Sequence, residues 1–290
     1  MKSPNSASPS LVLEVELKTL WGASAWPFTA AVQKPYASKT FSEAYDQLVQ
    51  LLAVKASGVL AGPNGVGKSL LVSALLEQLP QKAYRPILLT HSSITAADLI
   101  RHLCKLQGIE ASNRRGDNVL TLRKTWREIA PAWPVLIIEE AQNLSVTAME
   151  EVRLLAADRA DTQTPFSLLF VGDDNLMARL LLGVNRPLLS RFGFCIQMQT
   201  WSPEDLQAYI RSRLQEVAIH TDLLEPQAEQ LLLQASGGLP RTLNHLAQRA
   251  MEHAARAHSR LIAADHVRLA LKQLPWLVKL PELQEESDNP

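Results

Sequence analysis

GPNGVGKS, residues 62–69, decides how this chain is read. It satisfies G-x-x-x-x-G-K-[ST] at every defined position. A short apolar run (57–61) precedes it and a leucine-rich stretch, LLVSALLEQL, follows it. Strand, glycine turn and helix in that order make a phosphate cradle. Glycines let the backbone wrap so that several N–H groups converge on phosphate oxygens, and the following helix aims its positive end at the same place. Gly62, Pro63, Asn64, Gly65, Val66, Gly67 and Leu70 are the expected lining of that cradle. Lys68 would add a point charge near the β- and γ-phosphates of a nucleotide, and Ser69 would offer its hydroxyl to Mg²⁺. A glycine-rich turn with no ligand is the alternative, and the strand before and helix after weigh against it.

A second stretch supplies a partner for the cradle. In VLIIEEAQNL, residues 135–144, an apolar run ends in two carboxylates. A cradled nucleotide needs a carboxylate at a neighbouring strand end to hold Mg²⁺, usually through water, and its hydrolysis needs a group that positions or deprotonates the attacking water. Glu139 is the candidate on the metal side and Glu140 the candidate on the water side. Adjacent residues near a strand end can point in different directions, which suits two separate tasks. The competing reading is a pair of glutamates opening a solvated loop.

The rest of the chain fits around these two stretches. Short apolar runs at 57–61, 86–90, 135–138, 166–171 and 194–198 read as strands. Helical patterns at 41–54, 70–79, 96–106, 118–129, 147–157 and 176–182 alternate with them. Such alternation points to parallel β/α units around a buried sheet. After Trp201 the strands stop. Amphipathic stretches at 203–217, 226–235, 241–257 and 264–273 follow, with Gly237, Gly238 and Pro240 breaking the second from the third. The expected organisation is therefore a mobile arm (1–18), an α/β nucleotide-binding domain with a parallel sheet flanked by helices (19–201), a small all-α lid domain (202–275) and an acidic tail (276–290).

Composition narrows the function classes. The 290 residues are 47% hydrophobic with formal net charge zero, so no global attraction to nucleic acid or membrane follows. Two distant cysteines, Cys104 and Cys195, form neither a C-x-x-C pair nor a disulfide framework, which suits a reducing cytosol. No run reaches the roughly 18 apolar residues of a membrane span, so a soluble cytoplasmic protein with no membrane partner is expected. The histidines lack a second ligand at metal-site spacing, and the six tryptophans show no period.

Taken in order, GPNGVGKS, IIEEAQNL with its MEEVRLLA sequel, LLFVGDDNLMARLL, LLSRFGF, LQAYIRSRL and SGGLPRTLNHLAQRAM resemble the AAA+ ATPases of the ExeA/TniB/TnsC group. That group includes target-selecting ATPases of transposons and an ATPase of type II secretion assembly. The leading LWGASAWPFTAA resembles the start of ExeA-like proteins, and the likeness covers roughly residues 19–275. It implies an AAA+ fold, ATP and Mg²⁺ as cofactors, and self-association into a ring or filament. The group usually has D-E-A-Q where this chain has Glu139-Glu140-Ala141-Gln142, so Glu139 departs and Glu140 matches. It usually has Gly-Gln where this chain has Gly172-Asp173; an anionic Asp173 is a poorer γ-phosphate partner, and Asn175 is a possible substitute. Arg191 falls where an arginine finger toward a neighbouring subunit is expected, with Arg186 as its rival. Arg241 matches the arginine that reaches the nucleotide from the lid. A finger of this kind is worth about 10³–10⁵ in rate.

Charge is uneven. Residues 81–127 hold nine Lys and Arg against Asp98, Glu110 and Asp117. In the transposition relatives this part of the fold faces a pore through which DNA passes. Lys105, Arg114, Arg115, Arg123 and Lys124 are the expected phosphate contacts to double-stranded DNA, with Arg114 and Arg115 at the tip of the loop SNRRGDN; a solvated helical face is the alternative. The expected function is a regulator of DNA transposition that assembles on duplex DNA, recruits or activates a transposase, and disassembles on hydrolysis. The alternatives are a secretion-assembly ATPase, against which the end of the chain at Pro290 weighs, and a nucleotide-gated scaffold with little turnover. One prediction follows from Glu139 alone. Mg²⁺ demands near-octahedral coordination, so Glu139→Asp should release phosphate from ATP faster than wild type; an equal or lower rate removes the geometric argument.

Overall fold

The structure is a computed structural model that describes residues 19–29, 35–90, 94–157, 164–219 and 221–277. The expected arm (1–18), His91 and all of the expected tail beyond Leu277 lie outside the described residues. The chain divides into two compact units. One is Lys39–Gln199; the other joins Thr200 onward to the described residues up to Ser38.

The first unit opens with α1 (Lys39–Ala53), whose buried Phe41, Ala44, Leu48, Leu51 and Leu52 recur at helical spacing. Then come β1 (Gly58–Ala61), α2 (Lys68–Gln78), β2 (Tyr84–Leu89), α3 (Ala96–Leu106), α4 (Arg115–Glu128) and β3 (Trp133–Ile138). The second half holds α5 (Val146–Ala156), β4 (Ser167–Gly172), α6 (Asp174–Leu180), α7 (Arg186–Leu189) and β5 (Phe194–Gln197). The five strands form one sheet, all parallel, in the order β2-β3-β4-β1-β5. All five expected strands are present. Every residue of β1 and β4 is buried, and so are Pro134–Ile138 of β3. A parallel sheet covered on both faces requires such continuous apolar runs. The core between the sheet and α3, α4 and α5 includes Leu103, Leu122, Trp126, Val152 and Phe166.

Helix α4 starts at Arg115, three residues earlier than the apolar pattern suggests. Buried Asn118 explains this. Its Oδ1 accepts from Ser112 N–H (2.7 Å) and its Nδ2 donates to Ser112 O (2.9 Å), which closes the preceding loop and leaves Arg115 inside the first helical turn. Arg115 is therefore not at a loop tip.

The second unit holds α8 (Pro203–Glu216), α9 (Pro226–Ser236), α10 (Pro240–Arg256) and α11 (Ala264–Gln273). The segment before α1 packs with these helices, although the sequence reading grouped residues 19–38 with the sheet. The reason is an aromatic cluster: the Tyr36 ring lies 5.8 Å from Trp201 and 5.6 Å from Tyr209. Two long-range bonds reinforce it, Trp21 Nε1 to Arg260 O (3.0 Å) and Ser24 N–H to Val217 O (3.2 Å). No described helix is long and apolar enough to cross a membrane.

Phe166 is fully buried and meets Trp126 edge-on at 4.7 Å. Phe166→Ala should lower unfolding free energy by about 3–5 kcal/mol in urea titration, the range for deleting a core aromatic; a loss near zero would show that this side chain is not part of the tightly packed core.

Candidate functional site

Register places the site. Ala61 at the end of β1 is level with Gly172 at the end of β4, and Ile138 at the end of β3 is level with Phe170. Because the strands are parallel, the loop after β1, Asp173 after β4 and Glu139–Glu140 after β3 all emerge at the same sheet edge. Charged groups are costly inside a sheet buried on both faces, so strand ends are where chemistry goes in this architecture.

The loop between β1 and α2 wraps as the glycine spacing predicts. Gly62, Gly65 and Gly67 all have positive φ. At Gly62 (φ +154°) a Cβ would meet Met198 O at 2.5 Å, so the loop leaves the strand pressed against the end of β5. At Gly67 (φ +113°) a Cβ would meet nothing within 4 Å. Gly67 is also the N-cap of α2, and no side chain caps that helix. The first N–H groups of a helix have no partner within it, so here they remain available to an anion. Lys68 is buried, and its ammonium donates to Gly62 O (2.7 Å) and Pro63 O (3.1 Å), which holds a positive charge inside the loop. Ser69 is exposed one residue further on. Glycines, helix terminus and cation fit the phosphates of a nucleotide.

The two glutamates differ in setting. Glu139 is half-buried, and its N–H extends the β2–β3 ladder to Leu89 O (2.9 Å). Glu140 is exposed and sits in the left-handed region (φ 50°, ψ 36°) as the N-cap of a one-turn 3₁₀ helix, Ala141–Asn143. A non-glycine residue there costs of order 1 kcal/mol. The turn offsets that cost: Asn143 N–H donates to Glu140 O (2.8 Å), and Leu144 accepts from Arg179 Nη2 through its carbonyl (2.5 Å). The backbone thus leaves the strand ladder at Glu139 and turns at Glu140. Ser69 and Glu139 are the residues that could hold Mg²⁺. Among the described residues no group of three or more His, Cys, Asp or Glu forms a metal cluster.

Asp173 has a local task. Its Oδ1 accepts from Asn175 N–H (2.9 Å) and its Oδ2 from Asn175 Nδ2 (3.1 Å), so the carboxylate caps α6 and the Asn175 amide is bound to it. The Asp173 N–H points to Gln142 Oε1 (3.3 Å). Gln142 had no role in the sequence reading beyond its place in a family string; its spacing from Glu140 is local, but its link to β4 spans 31 residues.

The arginines fall in distinct places. β5 starts beside Gly58, so Arg191, which precedes β5 by three residues, is at the sheet edge opposite the cradle. Arg186 is exposed at the start of α7. Arg241 is exposed in the first turn of α10, in the helical unit. Of the expected DNA contacts, Lys105 and Arg114 are exposed. Lys124 is exposed and lies 3.7 Å from Glu128. Arg115 instead pairs with Glu151 through Nε (2.7 Å) and Nη2, and Arg123 donates to Ala157 O (2.7 Å) and to Leu154 O. These two hold α4 against α5. The sequence signal was available: Glu151 sits on the apolar face of its helix beside Val152, and an acid buried there needs a cation.

A family model described as an AAA domain matches residues 52–180. General secretion pathway protein A of Aeromonas hydrophila is similar, 28% identical over 212 residues, 71% of this chain. This chain spans 39% of that relative's length. Among solved structures, Cdc6p from Pyrobaculum aerophilum superposes with a TM-score of 0.70 at 17% identity, covering 88% of this chain and 74% of that one. The Aeropyrum pernix ORC1 protein in complex with DNA superposes with a TM-score of 0.65 at 16% identity, covering 86% and 69%. At these identities the structures establish the fold: a parallel sheet flanked by helices with a helical C-terminal region, the AAA+ fold.

The Asp173 cap yields a test. Asp173→Ala should cost about 1 kcal/mol of stability, the usual worth of an N-cap, while Asp173→Asn keeps most of it. Chemical denaturation of both variants reads the difference, and equal losses would contradict the capping role.

Proposed function

We propose that this protein is a Mg²⁺-dependent ATPase that assembles with copies of itself on duplex DNA and regulates transposition. The assembly recruits or activates a transposase in the cytoplasm, and hydrolysis dissolves it. The observation that supports the ATPase reading is the strand register that brings the glycine loop and Glu139–Glu140 to one sheet edge.

Each residue then has a task. The N–H groups from Gly65 to Leu70 bind phosphate oxygens, with Pro63, Asn64 and Val66 shaping the loop. Lys68 moves its ammonium from the loop carbonyls to the β- and γ-phosphates. Ser69 and Glu139 would hold Mg²⁺, which would supply positive charge to neutralise the phosphates. Glu140 orients the attacking water and takes its proton. Asp173 borders the γ-phosphate from the end of β4. The resemblance assigns Arg241, on α10, the part of a nucleotide-binding arginine. Arg191 supplies positive charge in trans: its place at the far sheet edge keeps it from its own cradle, so only a second copy can present it.

Support for DNA comes from the exposed Lys105 and Arg114 and from the fold shared with a protein solved in complex with DNA. The likeness to General secretion pathway protein A favours a second reading, an ATPase of secretion assembly. Both share the nucleotide chemistry and differ in partner.

Two measurements separate the parts. Glu140→Gln should bind ATP like wild type and hydrolyse it about 10²-fold or more slowly, as loss of a general base requires; wild-type turnover would remove Glu140 from that role. With a non-hydrolysable ATP analogue, log affinity for duplex DNA should fall linearly with log salt, and the double variant Lys105→Ala/Arg114→Ala should flatten that slope by up to about two units. An unchanged slope rejects this patch. No binding to DNA at low salt rejects the transposition reading in favour of the secretion one.

A further inference from the structure

We infer that Gln142 is the positioning residue that sets the direction of the Glu140 carboxylate, by tying it to the backbone at the end of β4. The inference rests on the proposed role of Glu140 as the base in ATP hydrolysis.

The geometry is a two-step bridge. Gln142 Nε2 donates to Glu140 Oε2 at 2.8 Å, and Gln142 Oε1 accepts from the Asp173 N–H at 3.3 Å. The partners fix which way round the amide lies: a carboxylate needs a donor and an N–H needs an acceptor. Gln142 is buried to 8% exposure, so its amide is not a surface group free to rotate. Gly172 makes room for it. A Cβ at that position would lie 2.6 Å from Gln142 Oε1.

The need for such a bridge follows from the backbone. Glu140 has left strand β3, has a left-handed conformation and is exposed. A general base must lie within hydrogen-bond reach of its water, and a misplacement of about 1 Å costs on the order of 10²-fold. Gln142 transfers the task of aiming Glu140 from a short loop to the buried sheet. It also couples the two strand ends that border the γ-phosphate position. It need not touch substrate.

The polarity of the amide makes the inference testable. Gln142→Glu keeps the shape of the side chain and an acceptor for the Asp173 N–H, but it removes the donor to Glu140. Its turnover should therefore fall as that of Gln142→Ala does.

The test is steady-state phosphate release by the full chain with Mg²⁺-ATP, with and without duplex DNA. Binding of a fluorescent ADP analogue and melting curves accompany it. Gln142→Ala should lower kcat about 10- to 100-fold with KM for ATP nearly unchanged. Gln142→Glu should lower kcat in the same way, with nucleotide binding and melting close to wild type. A kcat for Gln142→Ala equal to wild type overturns the inference, as does a Gln142→Glu variant that turns over like wild type. Glu140→Gln run in parallel separates the two claims. If it abolishes hydrolysis while the Gln142 variants behave as wild type, only the bridge is wrong. If it leaves hydrolysis intact, or if wild type does not turn over, the base assignment fails and the bridge with it.

Discussion

A parallel sheet buried on both faces leaves one place for charge, the ends of its strands. The candidate nucleotide site in the Lys39–Gln199 unit obeys that constraint. Residues such as Leu60, Ile137 and Phe170 are fully buried, and polar residues follow each strand within three positions. Because all five strands run the same way, these transitions gather at one edge. The cradle, the two glutamates and Asp173 meet there without any single loop having to be long.

Electrostatics then divides the labour at that edge. Lys68 is buried with its ammonium on two backbone carbonyls, and a buried charge is tolerated only with such partners. The same carbonyls are weaker partners for a cation than phosphate oxygens, since a phosphate oxygen carries net negative charge and a carbonyl only a dipole. The loop therefore holds a lysine whose better partner is an anionic ligand. Opposite it stand Glu139, anchored by the β2–β3 ladder, and Glu140, displaced from the strand by its left-handed backbone. An anchored carboxylate suits a metal with fixed geometry, and a displaced one suits a water molecule. Gln142 reconciles displacement with precision by tying the second carboxylate back to the sheet.

Features set by neighbours in sequence were legible. The glycine spacing at 62–69, the five apolar runs and the paired glutamates each depend on a few adjacent residues, and the structure has a strand or turn at each. Features set by register were not. The Gln142 bridge needs β3 and β4 side by side. The Arg115–Glu151 pair joins residues 36 apart, so a basic loop composition could not reveal that Arg115 is a helix-to-helix tie. The grouping of Tyr36 with Trp201 and Tyr209 crosses most of the chain, which is why the segment before α1 looked like part of the sheet unit. Arg191 is a different case: the role proposed for it would depend on a second copy of the chain, which neither the sequence nor a single copy contains.

The most direct measurement is a crystal structure of the protein soaked with Mg²⁺ and a non-hydrolysable ATP analogue. The account predicts phosphate density inside the Gly62–Ser69 loop, with the Lys68 ammonium moved off the Gly62 and Pro63 carbonyls onto phosphate oxygens and the metal between Ser69 and the Glu139 side. Nucleotide bound elsewhere, or a Lys68 still on its carbonyls beside a phosphate-free loop, would contradict it.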